Sequence, residues 1–257
     1  MKILAISDEV VPRLYSTSIT SLFADVDLVL GCGDLPAYYL EYVVTLLNVP
    51  LYYVMGNHGC ELDHDTEVEA VRPDGCLDID GRAVEYGGLL IAGLEGSMRY
   101  KPGPYQYTED EMRHKVLSLS VRLLRNKLTK GRWLDLLITH APPFGIHDSS
   151  DDCHTGFRAF LWLMGRLRPR YLIHGHSHNY SSLQPTVTQY HDTLVVNAYP
   201  YRAIEIPACG KLAGTYGPFW PAQCVALAGR QTERLEGPWA FRVWVSELVT
   251  SRRRSRG

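Results

Sequence analysis

Tyr171-Leu172-Ile173-His174-Gly175-His176-Ser177-His178 is the stretch on which the fold turns. Tyr171–His174 reads as a short buried β-strand, and the glycine after it opens a turn dense in histidine. The same arrangement recurs four times upstream. Lys2–Ile6 leads to Asp8, Val26–Leu30 to Gly33-Asp34, Leu51–Met55 to Gly56-Asn57-His58, and Leu134–Thr139 to His140. In a parallel sheet, residues just past the C-terminal strand ends converge on one rim, where ligands bind. Two carboxylates, an asparagine and several histidines on one rim form an oxygen and nitrogen ligand set suited to borderline divalent metals. The pattern therefore predicts a metal centre as well as a fold.

Between these strands the sequence alternates with helical patterns. Helices are expected from about Thr17 to Phe23, from Pro36 to Leu47, over Glu109–Lys130 and from about Phe157 to Arg168. Pro36 suits a first helical turn, where a missing N–H costs little. Thr108 is the expected cap of the longest helix, with Glu109, Asp110 and Glu111 at its positive end. Ala83–Tyr86 and Leu89–Ala92 read as a hairpin across Gly87-Gly88. Val187–Gln189, Leu194–Asn197 and Ala203–Ile206 read as closing antiparallel strands. From Pro207 the regularity decays into Gly, Pro and isolated tryptophans. Residues 1–206 are thus expected to form the domain, and 207–257 an irregular, poorly ordered extension ending in an arginine run that reads as a solvated tail.

A chain of 257 residues is ample for one α/β domain with a full core. With 46% hydrophobic and 21% charged residues, the composition is that of a soluble globular protein. No apolar run approaches the roughly 20 residues needed to span a bilayer. Met-Lys-Ile-Leu-Ala-Ile-Ser-Asp lacks the long apolar core of a signal peptide and reads as the first strand, so a cytoplasmic protein without a membrane partner is expected. The six cysteines, Cys32, Cys60, Cys76, Cys153, Cys209 and Cys224, form no Cys-x-x-Cys pair, which argues for free thiols rather than a zinc finger. Residues 207–257 hold eight Lys/Arg and three Asp/Glu, whereas the whole chain has a net charge of −2. The first 206 residues are therefore acidic, as suits carboxylates gathered around cations, and no basic stripe marks a nucleic-acid duplex as partner.

In order and spacing, the five motifs resemble those of the calcineurin-like metallophosphoesterases, a family of binuclear-metal phosphatases, phosphodiesterases and nucleases. The resemblance runs from Met1 to about Ile206. It implies an α/β fold of two packed mixed β-sheets flanked by helices, a four-layer α/β/β/α sandwich. It further implies one or two divalent metal ions, for which manganese, iron and zinc all suit the ligand set. Asp34 would be the bridging carboxylate, Asn57, His140 and His176 would complete one metal site, and Asp8 and His178 would remain for the other. His58 would face the substrate as the catalytic residue, donating a proton to the leaving oxygen or stabilising charge on the phosphoryl group.

Two departures stand out. The family's first motif is Asp-x-His, and here it is Asp8-Glu9-Val10, so one site lacks an imidazole that water, Glu9 or substrate would have to replace. A histidine at position 10 would stand two residues from Asp8, on the same side of the strand end. The acidic residue the family usually carries after Gly-Asn-His is Gly59. Two further loops have the composition of a substrate rim. His140-Ala-Pro-Pro-Phe-Gly-Ile-His147 continues through Asp148, Asp151, Asp152 and His154, and resembles Pro-Pro loops of bacterial members that end near Gly156-Phe157. The other runs from Gly96 to Tyr107, where Arg99 could grip a phosphate in bidentate fashion. Arg99, His147 and His154 are thus the substrate-binding candidates. The expected activity is hydrolysis of a small phosphate monoester or diester by metal-activated water. The alternative is a catalytically weakened relative that serves as a binding or scaffold protein.

Overall fold

A computed structural model describes residues 1–58, 72–178 and 185–206. Gly59, Cys60, Cys209, Cys224 and the expected extension 207–257 lie outside the described residues. In chain order the first elements are β1 (Lys2–Ile6), α1 (Ile19–Leu22), β2 (Leu28–Gly31), α2 (Ala37–Leu47), β3 (Leu51–Tyr53) and β4 (Leu77–Asp78). Next come β5 (Ala83–Tyr86), β6 (Leu89–Leu94), β7 (Ser97–Met98), β8 (Gln106–Tyr107), α3 (Glu109–Lys130) and β9 (Leu136–Thr139). The described chain closes with α4 (Arg158–Leu167), β10 (Tyr171–His174), β11 (Val187–Tyr190), β12 (Thr193–Asn197) and β13 (Tyr201–Glu205).

Two large sheets result, ordered β13-β1-β2-β3-β4 and β11-β12-β10-β9-β6-β5, beside a two-stranded ladder of β7 with β8. Strands β1 to β4 run parallel in the first, as do β6, β9, β10 and β12 in the second. The antiparallel partners are edge strands: β13 against β1, β5 against β6 and β11 against β12. The three expected closing strands are thus each in an antiparallel pair, and β12 in addition lies parallel to β10 on its other side.

Side-chain alternation builds the layers. Along β1, Ile3 and Ala5 enter the core between the sheets with Leu28, Leu30, Ile91, Leu136, Ile138 and Ile173. Leu4 and Ile6 face the other way, onto Ile19, Ala37, Leu40 and Val43 of α1 and α2. On the far side, Leu137, Leu172 and Val195 meet Met112, Val116, Leu119 and Leu123 of α3 and Phe160, Leu163 and Met164 of α4. The central strands are buried on both faces, which is why they read as continuous apolar runs. The four-layer α/β/β/α sandwich implied by the motifs is the one observed.

Helix α3 keeps its expected bounds because its start is doubly specified. The Thr108 side chain accepts a hydrogen bond from the Glu111 amide at 3.3 Å, and the Glu111 carboxylate accepts from the Thr108 amide at 2.7 Å. Glu109 also caps the neighbouring helix, accepting from the amides of Arg158 and Ala159 at 3.0 and 2.7 Å. That bond fixes the start of α4 and so the far end of the long loop that leaves His140.

Candidate metal centre

Each of the five motifs sits just past a parallel strand: Asp8 after β1, Asp34 after β2, Asn57 and His58 after β3, His140 after β9, and His176 and His178 after β10. Because β1, β2 and β3 belong to one sheet and β9 and β10 to the other, the rim is assembled across the sandwich. One donor atom from each of Asp8, Asp34, His140 and His176 lies within 4.8 Å of the others. Backbone geometry contributes directly. Asp8, Asp34 and His176 have φ of 63°, 54° and 62°, left-handed conformations that cost about 1–3 kcal/mol each outside glycine. They turn three side chains inward that a continuing strand would point elsewhere. Glycine is required where backbones crowd: a Cβ on Gly56 would collide with the Asp34 carboxylate, and one on Gly33 with the His140 ring.

Hydrogen bonds orient these side chains. The His140 Nδ1 meets the Cys32 carbonyl at 2.9 Å, which turns Nε2 toward the Asn57 amide oxygen at 2.9 Å and Asp34 at 3.3 Å. The His176 amide donates to both Asp8 oxygens at 3.1 and 2.9 Å, and the His58 amide to Asp34 at 2.9 Å. His178 Nε2 lies 3.5 Å from Asp8 and its ring stacks on Tyr199 at 4.6 Å. Asn57 is buried, and its Nδ2 has no hydrogen-bond partner among the described residues.

The electrostatics are those of carboxylate–imidazole pairs. Burial alone would raise the Asp34 pKa, but the nearby His140 and the His58 amide draw it well below the usual carboxylate range. Burial disfavours charge on His140 too, yet Asp34 and Asp8 lift its pKa to about 9. Burial pushes His176 down to about 4, whereas the bond to Asp8 raises His178. The Asp8 side chain is 1% exposed and that of Asp34 11%, and their ion-pair partners among the described residues are imidazoles. Carboxylates this buried are costly without strong compensation. A divalent cation held between them, with imidazole nitrogens and the Asn57 oxygen completing its shell, fits this donor set.

The family model for calcineurin-like phosphoesterases matches residues 1–180. The chain belongs to that family. A search of curated proteins returned no match. Among solved structures, one crystal structure aligns at 13% identity over 79% of this chain and 94% of its own, with a TM-score of 0.53. TT1561 of Thermus thermophilus aligns at 14% identity over 79% of this chain and 93% of that one, with a TM-score of 0.51. GAP50, the anchor in the inner membrane complex of Plasmodium, aligns at 11% identity over 77% and 70%, with a TM-score of 0.47. At such identities the likeness concerns the fold.

Within this phosphoesterase frame, the other expected residues separate. His154 joins the rim, its ring 4.8 Å from that of His176 and 6.5 Å from that of His178. His147 instead bonds His174 Nε2 at 2.9 Å and the Thr188 hydroxyl at 2.8 Å, pinning the loop to β10 and β11. Arg99 is engaged by Glu111 at 2.9 Å and by the Gln106 carbonyl at 3.2 Å. His58 is exposed at the mouth. Val10 corrects the expectation of a shared side with Asp8. The left-handed turn at Asp8 ends strand alternation, and the valine packs against the apolar cluster beneath α1 and α2. The Glu9 carboxylate accepts from the Tyr199 hydroxyl at 3.0 Å, which ties it to the residue on which His178 stacks. Two rim residues carry no signal in the sequence. Tyr199 reaches the rim from the β12–β13 connection, and the Cys153 carbonyl meets His176 Nε2 at 2.8 Å.

Proposed function

We propose that this protein is a metal-dependent phosphoesterase that hydrolyses a small phosphate monoester or diester by direct attack of water, without a covalent intermediate. The observation that carries the reading is the convergence of Asp8, Asp34, His140 and His176 within 4.8 Å on one rim. Bound divalent ions would supply charge neutralisation of the phosphoryl oxygens and activation of the attacking water. Asp34, paired with His140 and close to Asp8, offers the carboxylate that both halves of the site can use. His140 and Asn57 hold one another in ligating orientation through their 2.9 Å contact. His178, held against Asp8 and stacked on Tyr199, completes the other half. Exposed His58, anchored through its amide to Asp34, is the proton donor to the leaving oxygen. His154 lines the substrate side of the same rim.

A second reading, a binding or scaffold protein on an eroded site, draws on one observation: Val10 packs into an apolar cluster and leaves the first motif without an imidazole. Metal analysis combined with turnover of generic aryl phosphate mono- and diesters separates the two. Phosphate release that chelator stops supports the esterase, and a well-folded protein with bound metal and no turnover on any ester supports the scaffold. A release screen across nucleotides, sugar phosphates and cyclic dinucleotides, with manganese, iron or zinc added, then narrows the substrate.

A further inference from the structure

The loop between His140 and α4 places a second group of ligating side chains beside the first. Donor atoms of Cys153, His154 and His176 lie within 4.8 Å of one another. We propose that Cys153 and His154 are metal ligands, forming with His176 a thiolate–imidazole–imidazole set suited to a zinc-class cation. The inference rests on reading the rim as a metal centre. It gives the one ring nitrogen of His176 not bound to the Cys153 carbonyl to this cation, leaving Asp8, Asp34, Asn57, His140 and His178 for the oxygen and nitrogen site beside it.

Three features support it beyond proximity. The first is ring orientation. His154 Nδ1 lies 2.7 Å from Asp151 Oδ1, and a ligating histidine characteristically gives its other ring N–H to a carboxylate, which leaves Nε2 for the cation. Asp151 is itself positioned, since the same oxygen accepts the His154 amide at 2.9 Å and its partner oxygen accepts the Ser149 hydroxyl. The second is that the loop is built. Asp148 accepts from the amides of Gly145 and Gly156 at 2.9 and 3.2 Å, and Thr155 bonds the Asp151 carbonyl through both its amide, at 3.1 Å, and its hydroxyl, at 2.8 Å. The Cys153 carbonyl holds His176 Nε2 at 2.8 Å, which ties the loop to the strand end that carries the main site.

The third feature is the ligand count. Three protein ligands with an open fourth position is the arrangement of catalytic rather than structural zinc. Cys153 and His154 are partly exposed, so the cation has an entry path and substrate can reach the fourth position. A thiolate biases the site toward zinc or iron over magnesium or manganese, and binding releases the thiol proton. His154 would thereby bring to the rim an imidazole from the loop, where Val10 brings none.

The test is a titration of the full-length, chelator-stripped and reduced protein with cobalt(II), read by absorbance and by metal analysis. The expected result is a sulfur-to-cobalt charge-transfer band that saturates at one thiolate per chain. Cys153→Ser should abolish the band, Cys60→Ser should keep it, and Asp151→Asn should weaken the binding that produces it by about 10–100-fold. Cobalt binding without a band, or a band that survives Cys153→Ser, overturns the inference and leaves the phosphoesterase reading standing. A Cys153-dependent band in a protein that hydrolyses no phosphate ester supports the inference and overturns that reading. No cobalt binding at all overturns both. Should Cys153→Ser fail to fold, X-ray absorption of the zinc-loaded Cys60→Ser protein decides. A sulfur scatterer at about 2.3 Å supports the site, and a shell of oxygen and nitrogen alone overturns it.

Discussion

Acid should loosen the loop that carries His154, through a pair of histidines that the fold holds neutral. His174 is fully buried and its Nδ1 meets the Gly175 carbonyl at 2.9 Å, so it donates there and its Nε2 must accept. His147 donates to that nitrogen from Nδ1, and its own Nε2 accepts from Thr188. Every ring nitrogen is committed. A second proton on His174 would break its bond to His147, and one on His147, whose Thr188 partner can turn to accept, would leave a cation largely buried. Burial, reinforced by Arg202 nearby, holds the His147 pKa down to about 4. Its ordinary value is about 6.5. Because the folded value is the lower one, the associated stability is fully present above pH 6.5 and is lost as pH falls toward 4. Each pH unit in that window costs about 1.4 kcal/mol, so His147 should cost about 3 kcal/mol by pH 4. His147→Gln keeps an N–H donor for His174 and removes the titrating group. Urea unfolding of both proteins from pH 7 to pH 4 should show the parent losing about 3 kcal/mol more than the variant. Parallel losses would mean that His147 is not held neutral by this chain, and the reasoning would fail.

His58→Ala should lower turnover by about 10²–10⁴-fold with metal content nearly unchanged, and less with an activated aryl leaving group. Loss of metal together with activity, measured by elemental analysis, would make His58 a ligand and refute its role as acid. Val10→His should not raise metal affinity, because the side chain faces the cluster beneath α1 and α2. It should destabilise the protein by about 1 kcal/mol as a half-buried valine gives way to a polar ring. A variant of unchanged thermal midpoint and tighter metal binding would show that position 10 faces the cations.

What the sequence makes legible is whatever local chemistry fixes without distant partners. The strand ends carrying Asp8, Asp34, Asn57, His140 and His176 can be read because buried parallel strands are apolar on both faces and glycines mark their turns. Thr108 and Glu111 announce the start of α3 for the same local reason. The hairpin of β11 with β12 is legible, but the parallel pairing of β12 with β10 is not, because direction depends on which neighbour a strand meets and its own residues look alike either way. The two-residue strands β4, β7 and β8 are too short to carry a period. Val10 is misplaced by counting along a strand that the left-handed Asp8 has already ended. Arg99 looks available for phosphate because its Glu111 partner is twelve residues away, on the helix it braces. Cys153 carries no motif, and only the folded loop shows the company it keeps.

The central claim is that the Asp34 carboxylate holds a cation on which turnover depends. The most direct measurement is phosphate release from an aryl phosphate ester as metal is returned to chelator-stripped protein, for the parent and for Asp34→Asn. The asparagine tolerates the left-handed backbone at this position and removes the charge. For the parent, activity should rise in step with bound metal. The variant, with an unchanged thermal midpoint, should bind metal far more weakly and release no phosphate. A folded Asp34→Asn protein that hydrolyses the ester at the parental rate without bound metal would contradict the account.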